Sequence, residues 1–337
     1  MAKLTTNYMG LELKNPIIIG ASNLTTKAEN AKKLEEAGAG ALVYKSLFEE
    51  ELELDALKLS QELDEYNERH AEMINLFPSV EHAGPDEYIS DLEEVVKAVN
   101  IPVFASINAI KKTIWVEYGK KIAETGVAGI ELNLYHVPTD MESTATEVED
   151  QQIEIVKALK SNLNIPIAVK ISPYYSNVLN FIQKLDEAGA DAIVMFNRLF
   201  QPEINIETET NEYPDNLSNS DDKKLAIRFA ALSYGNIKAQ IIATNGIHYG
   251  TDAIKVILAG ADAVQIVSTV YNSGFAAIKN MVKDLESWMN RKEYNTIDEF
   301  KGKLSRKKSK DPYAYRRAQY IDILLNSEEI FKFNPQR

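Results

Sequence analysis

The stretch Leu185-Asp186-Glu187-Ala188-Gly189-Ala190-Asp191-Ala192-Ile193-Val194-Met195-Phe196 ends an apolar-striped helix with a glycine and enters an apolar strand about two residues later. Glycine just past a helix is a common stop, because it takes the left-handed conformation without steric cost. The same unit recurs at Leu34-Glu35-Glu36-Ala37-Gly38-Ala39 and at Ile257-Leu258-Ala259-Gly260-Ala261, with no tandem identity between the copies. Working outward, short apolar runs at Pro16–Gly20, Ala41–Lys45, Pro102–Ile107, Gly129–Leu134, Pro166–Ile171, Ala192–Phe196, Gln240–Ala243 and Ala263–Val267 are each followed by an amphipathic stretch of helical period. Pro16, Pro102 and Pro166 open their runs, where a missing N–H costs no ladder bond. This is the pattern of a parallel sheet with crossover helices. It predicts an α/β fold, a single (β/α)8 TIM barrel. An open doubly wound sheet shares the local pattern, since closure leaves no mark in a sequence.

At 337 residues, 45% hydrophobic and 26% charged, the chain can bury a substantial core. No Pro/Gly/Ser linker divides it, so the expectation is one barrel domain over 1–304 and a C-terminal helical extension over 305–337. Tyr313, Tyr315, Tyr320, Ile321 and Ile323 of that extension could pack on the barrel or on a partner. Long extra segments follow the second strand (Leu47 to Ile89) and the sixth (Arg198 to Asp222), on the face where barrels place their active sites. The net charge of −13 disfavours nucleic acid and anionic membranes as partners. The basic run Arg306-Lys307-Lys308-Ser309-Lys310 reads as a solvated tail. There is no cysteine, which excludes disulfides, thiolate zinc sites, cysteine-ligated iron–sulfur clusters and a cysteine nucleophile. No apolar segment resembles a signal peptide or a membrane span, and a cytoplasmic location is expected.

In a barrel the strands' C-terminal ends converge on one pocket. Here they supply Ala21 and Ser22, Lys45 and Ser46, Ser106 and Asn108, Asn133 with Tyr135 and His136, Lys170 and Ser172, Asn197, Thr244-Asn245-Gly246, and Ser268-Thr269. This polar ring has two lysines and no carboxylate. It suits an anionic, hydrogen-bonding ligand and no metal, which would want clustered His, Asp or Glu. A lone strand-end lysine can snorkel to water, but Lys45 and Lys170 at one mouth would create positive potential inside an acidic protein. Asn245-Gly246 after the seventh strand and Ser268-Thr269 after the eighth lie where barrels often hold a phosphate. His136, at the end of the fourth strand, is the histidine that can reach the pocket as an acid or base.

These residues, taken in order, resemble the class 1 dihydroorotate dehydrogenases, most closely their divergent dihydroorotate dehydrogenase-like branch. The likeness is carried by Gly10 to Pro16 with Ala21-Ser22, Lys45-Ser46, Glu131-Leu132-Asn133-Leu134, Val169-Lys170-Ile171-Ser172-Pro173, Asn197, Ile241 to Ile247, Gly260 to Ile266, Gly274 and Phe300 to Leu304. The resemblance implies an FMN-dependent oxidoreductase of pyrimidine biosynthesis that oxidises dihydroorotate to orotate. In it hydride passes to flavin N5 while a base takes the neighbouring proton, and the chain pairs as a homodimer. It implies FMN contacts from Ala21, Ser22, Lys45, Ser106, Asn133 and Lys170, and phosphate contacts from Asn245, Gly246, Ser268 and Thr269. Asn197 corresponds to an asparagine that contacts substrate. His136 stands at the place of the base, and Lys45 and Asn133 join it in the catalytic set.

The departures concern the substrate half. The family's Asn-Leu-Ser-Cys-Pro-Asn is here Asn133-Leu134-Tyr135-His136-Val137-Pro138. The second substrate asparagine of that motif is missing, and the Asn-Ser-Met-Gly loop has no clean counterpart; the nearest stretch is Met73-Ile74-Asn75-Leu76-Phe77-Pro78, whose Asn75 is the candidate substrate contact. These changes leave two other readings open: oxidation or reduction of a different small cyclic or unsaturated acid, and flavin binding without dihydroorotate turnover.

Overall fold

The computed structural model describes residues 2–49, 85–108, 111–135, 138–199, 201–212, 217–311, 315–317, 320, 321 and 325. Its centre is a closed parallel barrel. A hairpin comes first, β1 (Thr6–Tyr8) and β2 (Leu11–Leu13). The barrel strands follow as β3 (Ile17–Ile19), β4 (Ala41–Phe48), β5 (Val103–Asn108), β6 (Gly129–Asn133), β7 (Ile167–Ile171) and β8 (Ala192–Met195). After the exposed hairpin β9 (Glu203–Asn205) and β10 (Thr210–Glu212), β11 (Gln240–Ala243) and β12 (Ala263–Ile266) complete the barrel. Each barrel strand neighbours the next, and β12 closes onto β3 with Val264 opposite Ile17. The eight apolar runs of the sequence therefore all become barrel strands, and the open-sheet alternative falls away.

The crossover helices are α1 (Ala28–Glu36), α2 (Asp86–Ala98), α3 (Lys112–Ala123), α4 (Ala145–Asn162), α5 (Val178–Glu187), α6 (Lys223–Ser233) and α7 (Gly250–Ala259). Beyond β12 come α8 (Ser268–Ser273) and α9 (Ala276–Arg291). The glycine stops behave as their residue type requires: Gly38, Gly189 and Gly260 have φ of 107°, 94° and 137°. The residue after Gly-Ala also has a task. Asp191 accepts the Ile167 N–H at 2.7 Å and Asp262 accepts the Ile241 N–H at 2.8 Å, so each aspartate ties its strand to the start of the preceding one.

Strand residues alternate between two cores. Ile17, Ile19, Leu42, Ile130, Leu132, Val169, Ile193 and Val264 pack outward on the helices. Ile18, Ala41, Val43, Phe104, Ala168, Ala192, Val194, Ile242 and Ala263 fill the interior together with Tyr8, Met9 and Leu13 of the first hairpin. That hairpin plugs the N-terminal end of the barrel. Its two-residue turn, Met9 and Gly10 at φ 53° and 82°, is the geometry that matches strand twist. Gln240 grips the turn, accepting the Met9 N–H at 2.5 Å and donating to the Asn7 carbonyl at 2.7 Å. The sequence reading has no hairpin here, because strands this short carry too few alternations to be seen.

Two further expectations need restating. Most of the insertion after the second strand lies outside the described residues. The run Arg306 to Lys310 is no solvated tail at its start. The Arg306 N–H donates to the Ala231 carbonyl, Lys307 Nζ reaches the Gly235 carbonyl at 2.7 Å, and Lys308 Nζ sits over the Tyr234 ring at 5.0 Å. In the extension, Tyr315 packs on the outer core while Tyr320 and Ile321 are exposed; Tyr313 and Ile323 lie outside the described residues. Among the described residues no helix is long and apolar enough to cross a membrane.

Candidate active site

Above the apolar plug, the inward positions of the same strands turn polar. On β7 the inward residue after Ala168 is Lys170, and on β6 the inward pair is Glu131 and Asn133. On β12 the residue after Ala263 is Gln265. A cleft of about 160 Å³ opens among these strand ends, lined by Ala21, Lys170, Asn197, Arg198, Ser218, Thr244, Asn245, Gly246, Gln265, Ser268 and Thr269 with apolar neighbours. Two of its described lining residues, Lys170 and Arg198, are cationic, and none is acidic. Such a lining suits an anionic ligand. Among the described residues no cluster of His, Asp and Glu could hold a metal ion.

The phosphate-type end is built on a tight turn. Asn245 and Gly246 have φ of 70° and 68°, and Asn245 Nδ2 donates to the Phe196 carbonyl at 3.0 Å. A Cβ on Gly246 would run into the backbone nitrogen of Lys223 and the carbonyl oxygen of Asn219, so the chain approaches closer here than any other residue permits. Ser268 Oγ accepts the Ser218 N–H at 2.9 Å, and Ser218 Oγ lies 3.2 Å from His248 Nε2. Thr269 is buried and donates to the Ile247 carbonyl at 2.5 Å.

Behind this end stands an ion pair, Lys223 Nζ to Asp252 Oδ1 at 3.0 Å, both side chains more than 90% buried. Asp252 also accepts from Ser220 Oγ and from the His248 and Tyr249 N–H groups. Burial pushes its carboxyl up, but Lys223, the His248 N–H and the Ser220 hydroxyl together outweigh this and hold it below the usual aspartate range. Arg198 Nη1 meets Asp222 Oδ2 at 2.7 Å, which fixes the arginine at the cleft wall.

Of the residues expected to hold a flavin, Ala21, Lys170, Asn245, Gly246, Ser268 and Thr269 come together in this cleft. Asn133 joins them through Asn197, whose Nδ2 donates to Asn133 Oδ1 at 2.5 Å. Ser106 is fully buried, with its hydroxyl 2.7 Å from that of Ser46. Lys45 sits where the β4–β5 register shifts between Val43 and Ser46, and its carbonyl accepts from Tyr88 Oη at 2.9 Å. Ser22 starts the short turn Asn23–Thr25 and bonds back to the Gly20 carbonyl at 3.2 Å. His136 and Asn75 lie outside the described residues, as do His70 and His82.

Three residues escaped the sequence reading, Glu131, Gln265 and Arg198, whereas Ser218 belongs to Leu217-Ser218-Asn219-Ser220, the stretch that stands in place of a glycine-rich element of the family's phosphate region. Glu131 and Gln265 were legible in principle, since each lies an even number of positions from a recognised inward residue. The ring of strand ends itself carries no carboxylate, yet Glu131 lies directly below it, fully buried and 3.4 Å from Lys170 Nζ. A larger and more apolar cavity of about 410 Å³ opens to one side, lined by Pro138, Val148, Tyr174, Tyr175 and Leu199 among others. Of the described strand-end set it holds only Ser172, so the smaller cleft is the candidate site.

The chain has relatives among known proteins. The chain is 28% identical over 311 residues to the dihydroorotate dehydrogenase B (NAD(+)) catalytic subunit of Methanocaldococcus jannaschii, covering 89% of this chain and 97% of that protein. It is 29% identical to the protein of the same name from Thermoplasma volcanium, covering 90% and 98%. The crystal structure of DHODH in complex with ferulenol from Eimeria tenella shares the fold, with a TM-score of 0.64 at 18% identity over 89% of this chain and 88% of that one. The family profile for dihydroorotate dehydrogenase matches residues 3–289, and the chain belongs to that family.

Proposed function

We propose that the protein is an FMN-dependent oxidoreductase that converts dihydroorotate to orotate. The observation that carries this reading is the cleft: a cationic floor at Lys170, a close-approach turn at Asn245-Gly246 and the hydroxyls of Ser268 and Thr269, on one barrel mouth with no acidic residue among its described lining. These residues fit a flavin phosphate at one end and an electron-rich ring edge at the other. When bound, FMN supplies the two-electron acceptor for a CH–CH oxidation.

The chain's own residues then have separable tasks. Asn245, Gly246, Ser268 and Thr269 bind the phosphate, with Lys223 and Asp252 bracing the turn from behind. Lys170 meets negative charge on the ring, and Ala21, Ser22, Lys45, Ser106 and Asn133 complete the ring contacts. Asn197, oriented by its bond to Asn133, presents its amide to the substrate. His136 is the base that removes the substrate proton, and Asn75 is a further substrate contact. A cytoplasmic homodimer completes the proposal.

The test is the absorbance spectrum of the purified protein followed by anaerobic titration with dihydroorotate. A flavin spectrum that bleaches within seconds is expected. A colourless protein that leaves the fluorescence of added FMN unquenched would sink the cofactor assignment. Bound flavin that stays oxidised with dihydroorotate, yet is bleached by another small unsaturated or cyclic acid, would move the substrate. That second reading is favoured by Tyr135-His136 standing where the family has Ser-Cys.

A further inference from the structure

The barrel interior holds one carboxylate that the proposed reaction does not use. Glu131 is 0% exposed on the inward face of β6. One of its oxygens, Oε1, stands 3.4 Å from Lys170 Nζ, and the other, Oε2, accepts a hydrogen bond from Gln265 Nε2 across the barrel on β12. Tyr8, from the N-terminal plug, comes up beneath the same group. Burial pushes its phenol well above the usual range, and the nearby Glu131 charge adds to this while Gln265 opposes it. A buried carboxylate is costly unless a cation offsets it, and among the described residues Lys170 is the cation that pairs with Glu131.

We propose that Glu131 is a positioning residue for Lys170. Clamped by Gln265, it anchors the ammonium at the floor of the cleft, aimed at the electron-rich edge of the ligand. Lysine has a flexible four-carbon stem, and holding it still costs side-chain entropy. No described residue lining the cleft is acidic, so a Lys170 released from below finds no other anion among them. Lys170 is 12% exposed and Glu131 is not exposed at all, so the lysine is the nearer charge to any ligand. Losing its placement therefore outweighs removing the more distant negative charge.

What Lys170 faces rests on the flavin reading above; that Glu131 places it does not. The first measurement accordingly uses the protein without added flavin. Acetylation of Lys170 by an N-hydroxysuccinimide ester, followed by peptide mass spectrometry, is expected to be at least fivefold faster in Glu131→Gln than in the wild type. An unchanged rate overturns the proposal. Should Glu131→Gln fail to fold, Gln265→Leu removes the clamp and leaves the carboxylate; at least twofold faster labelling supports the proposal, and no change refutes it.

The second measurement is spectroelectrochemical titration of the FMN-loaded protein. Glu131→Gln should make two-electron reduction about tenfold less favourable, or about 30 mV lower. Glu131→Asp, which keeps the charge, should recover most of the loss. In a Lys170→Gln background the same Glu131→Gln change should have less than a twofold effect. A rise in potential, or an equal shift in that background, would mean that the carboxylate acts on the ring by its own charge, and the positioning role fails. If wild-type protein takes up no FMN, the flavin reading falls while the labelling comparison still decides the role of Glu131.

Discussion

The lower half of the barrel interior is packed with carbon, whereas the upper half is held by ion pairs and backbone turns. Below, Phe104 meets Tyr8 edge-on at 4.8 Å within a cluster of Ile18, Val43, Val194 and Ile242. Above, Glu131 and Lys170 face each other, and Lys223, Asp252, Ser220 and His248 brace the phosphate-type turn. Glu131 and Lys170 stand on strands that also line the lower half, an inward position or so higher, whereas Lys223, Asp252, Ser220 and His248 come from the helices and turns behind the cleft. Burying each large apolar side chain below contributes about 1.5–3 kcal/mol, insensitive to pH. The polar groups above contribute less net stability and hold a binding geometry.

The largest expected effect tests the lower half. Phe104→Ala should destabilise by about 3–5 kcal/mol, through lost burial and the cavity left in a closed barrel. Denaturant unfolding measures this, and FMN affinity per folded molecule should change less than threefold. A tenfold weaker flavin affinity at unchanged stability would show that the two halves are not separable.

Asp252→Asn tests the upper half and should cost about 3 kcal/mol at pH 7, because it leaves buried Lys223 without its anion. The carboxyl of Asp252 is held below its ordinary value in the folded protein, so its contribution is full above about pH 4 and lost as the pH falls further. Thermal unfolding between pH 6 and pH 3 should therefore fall more steeply in the wild type than in Asp252→Asn. Parallel curves would assign acid sensitivity to other carboxylates.

Gly246→Ala should cost about 2 kcal/mol, since alanine is strained at φ 68° and its Cβ would meet the Lys223 and Asn219 backbone. FMN affinity should drop tenfold or more, read by fluorescence quenching. A stability loss without an affinity loss would move the phosphate away from this turn.

The two halves also differ in how much of them a sequence shows. The outer and inner apolar faces follow from strand periodicity, and all eight strand positions were visible from runs such as Ala192 to Phe196 and their glycine stops. The plug was not, because Thr6–Tyr8 and Leu11–Leu13 are too short to alternate detectably and Gln240, which grips them, lies far away in sequence. In the upper half, residues at strand ends such as Lys170, Asn197 and Gly246 were found because position alone selects them. Glu131 was quoted in a motif and passed over, since its pairing with Lys170 and Gln265 depends on which strands become neighbours and which face inward. Arg198 is hidden for a related reason: it comes from the insertion after β8, whose path no periodicity fixes.

The smallest expected effect is also the most diagnostic for the upper half. Ser268 Oγ accepts the Ser218 N–H at 2.9 Å and Ser268 lines the cleft, so one side chain both pins the insertion and stands at the cleft wall. Ser268→Ala removes one partly buried hydrogen bond, a loss of about 1 kcal/mol in unfolding free energy. If the hydroxyl also touches the phosphate, FMN affinity falls three- to tenfold while the affinity for riboflavin, which has no phosphate, stays the same. Equal losses for the two flavins would mean that Ser268 acts only by holding Ser218. The phosphate would then be left to Asn245-Gly246 and the cationic wall at Arg198. The riboflavin comparison separates these roles because both flavins carry the same ring and differ in the group that Ser268 is placed to meet.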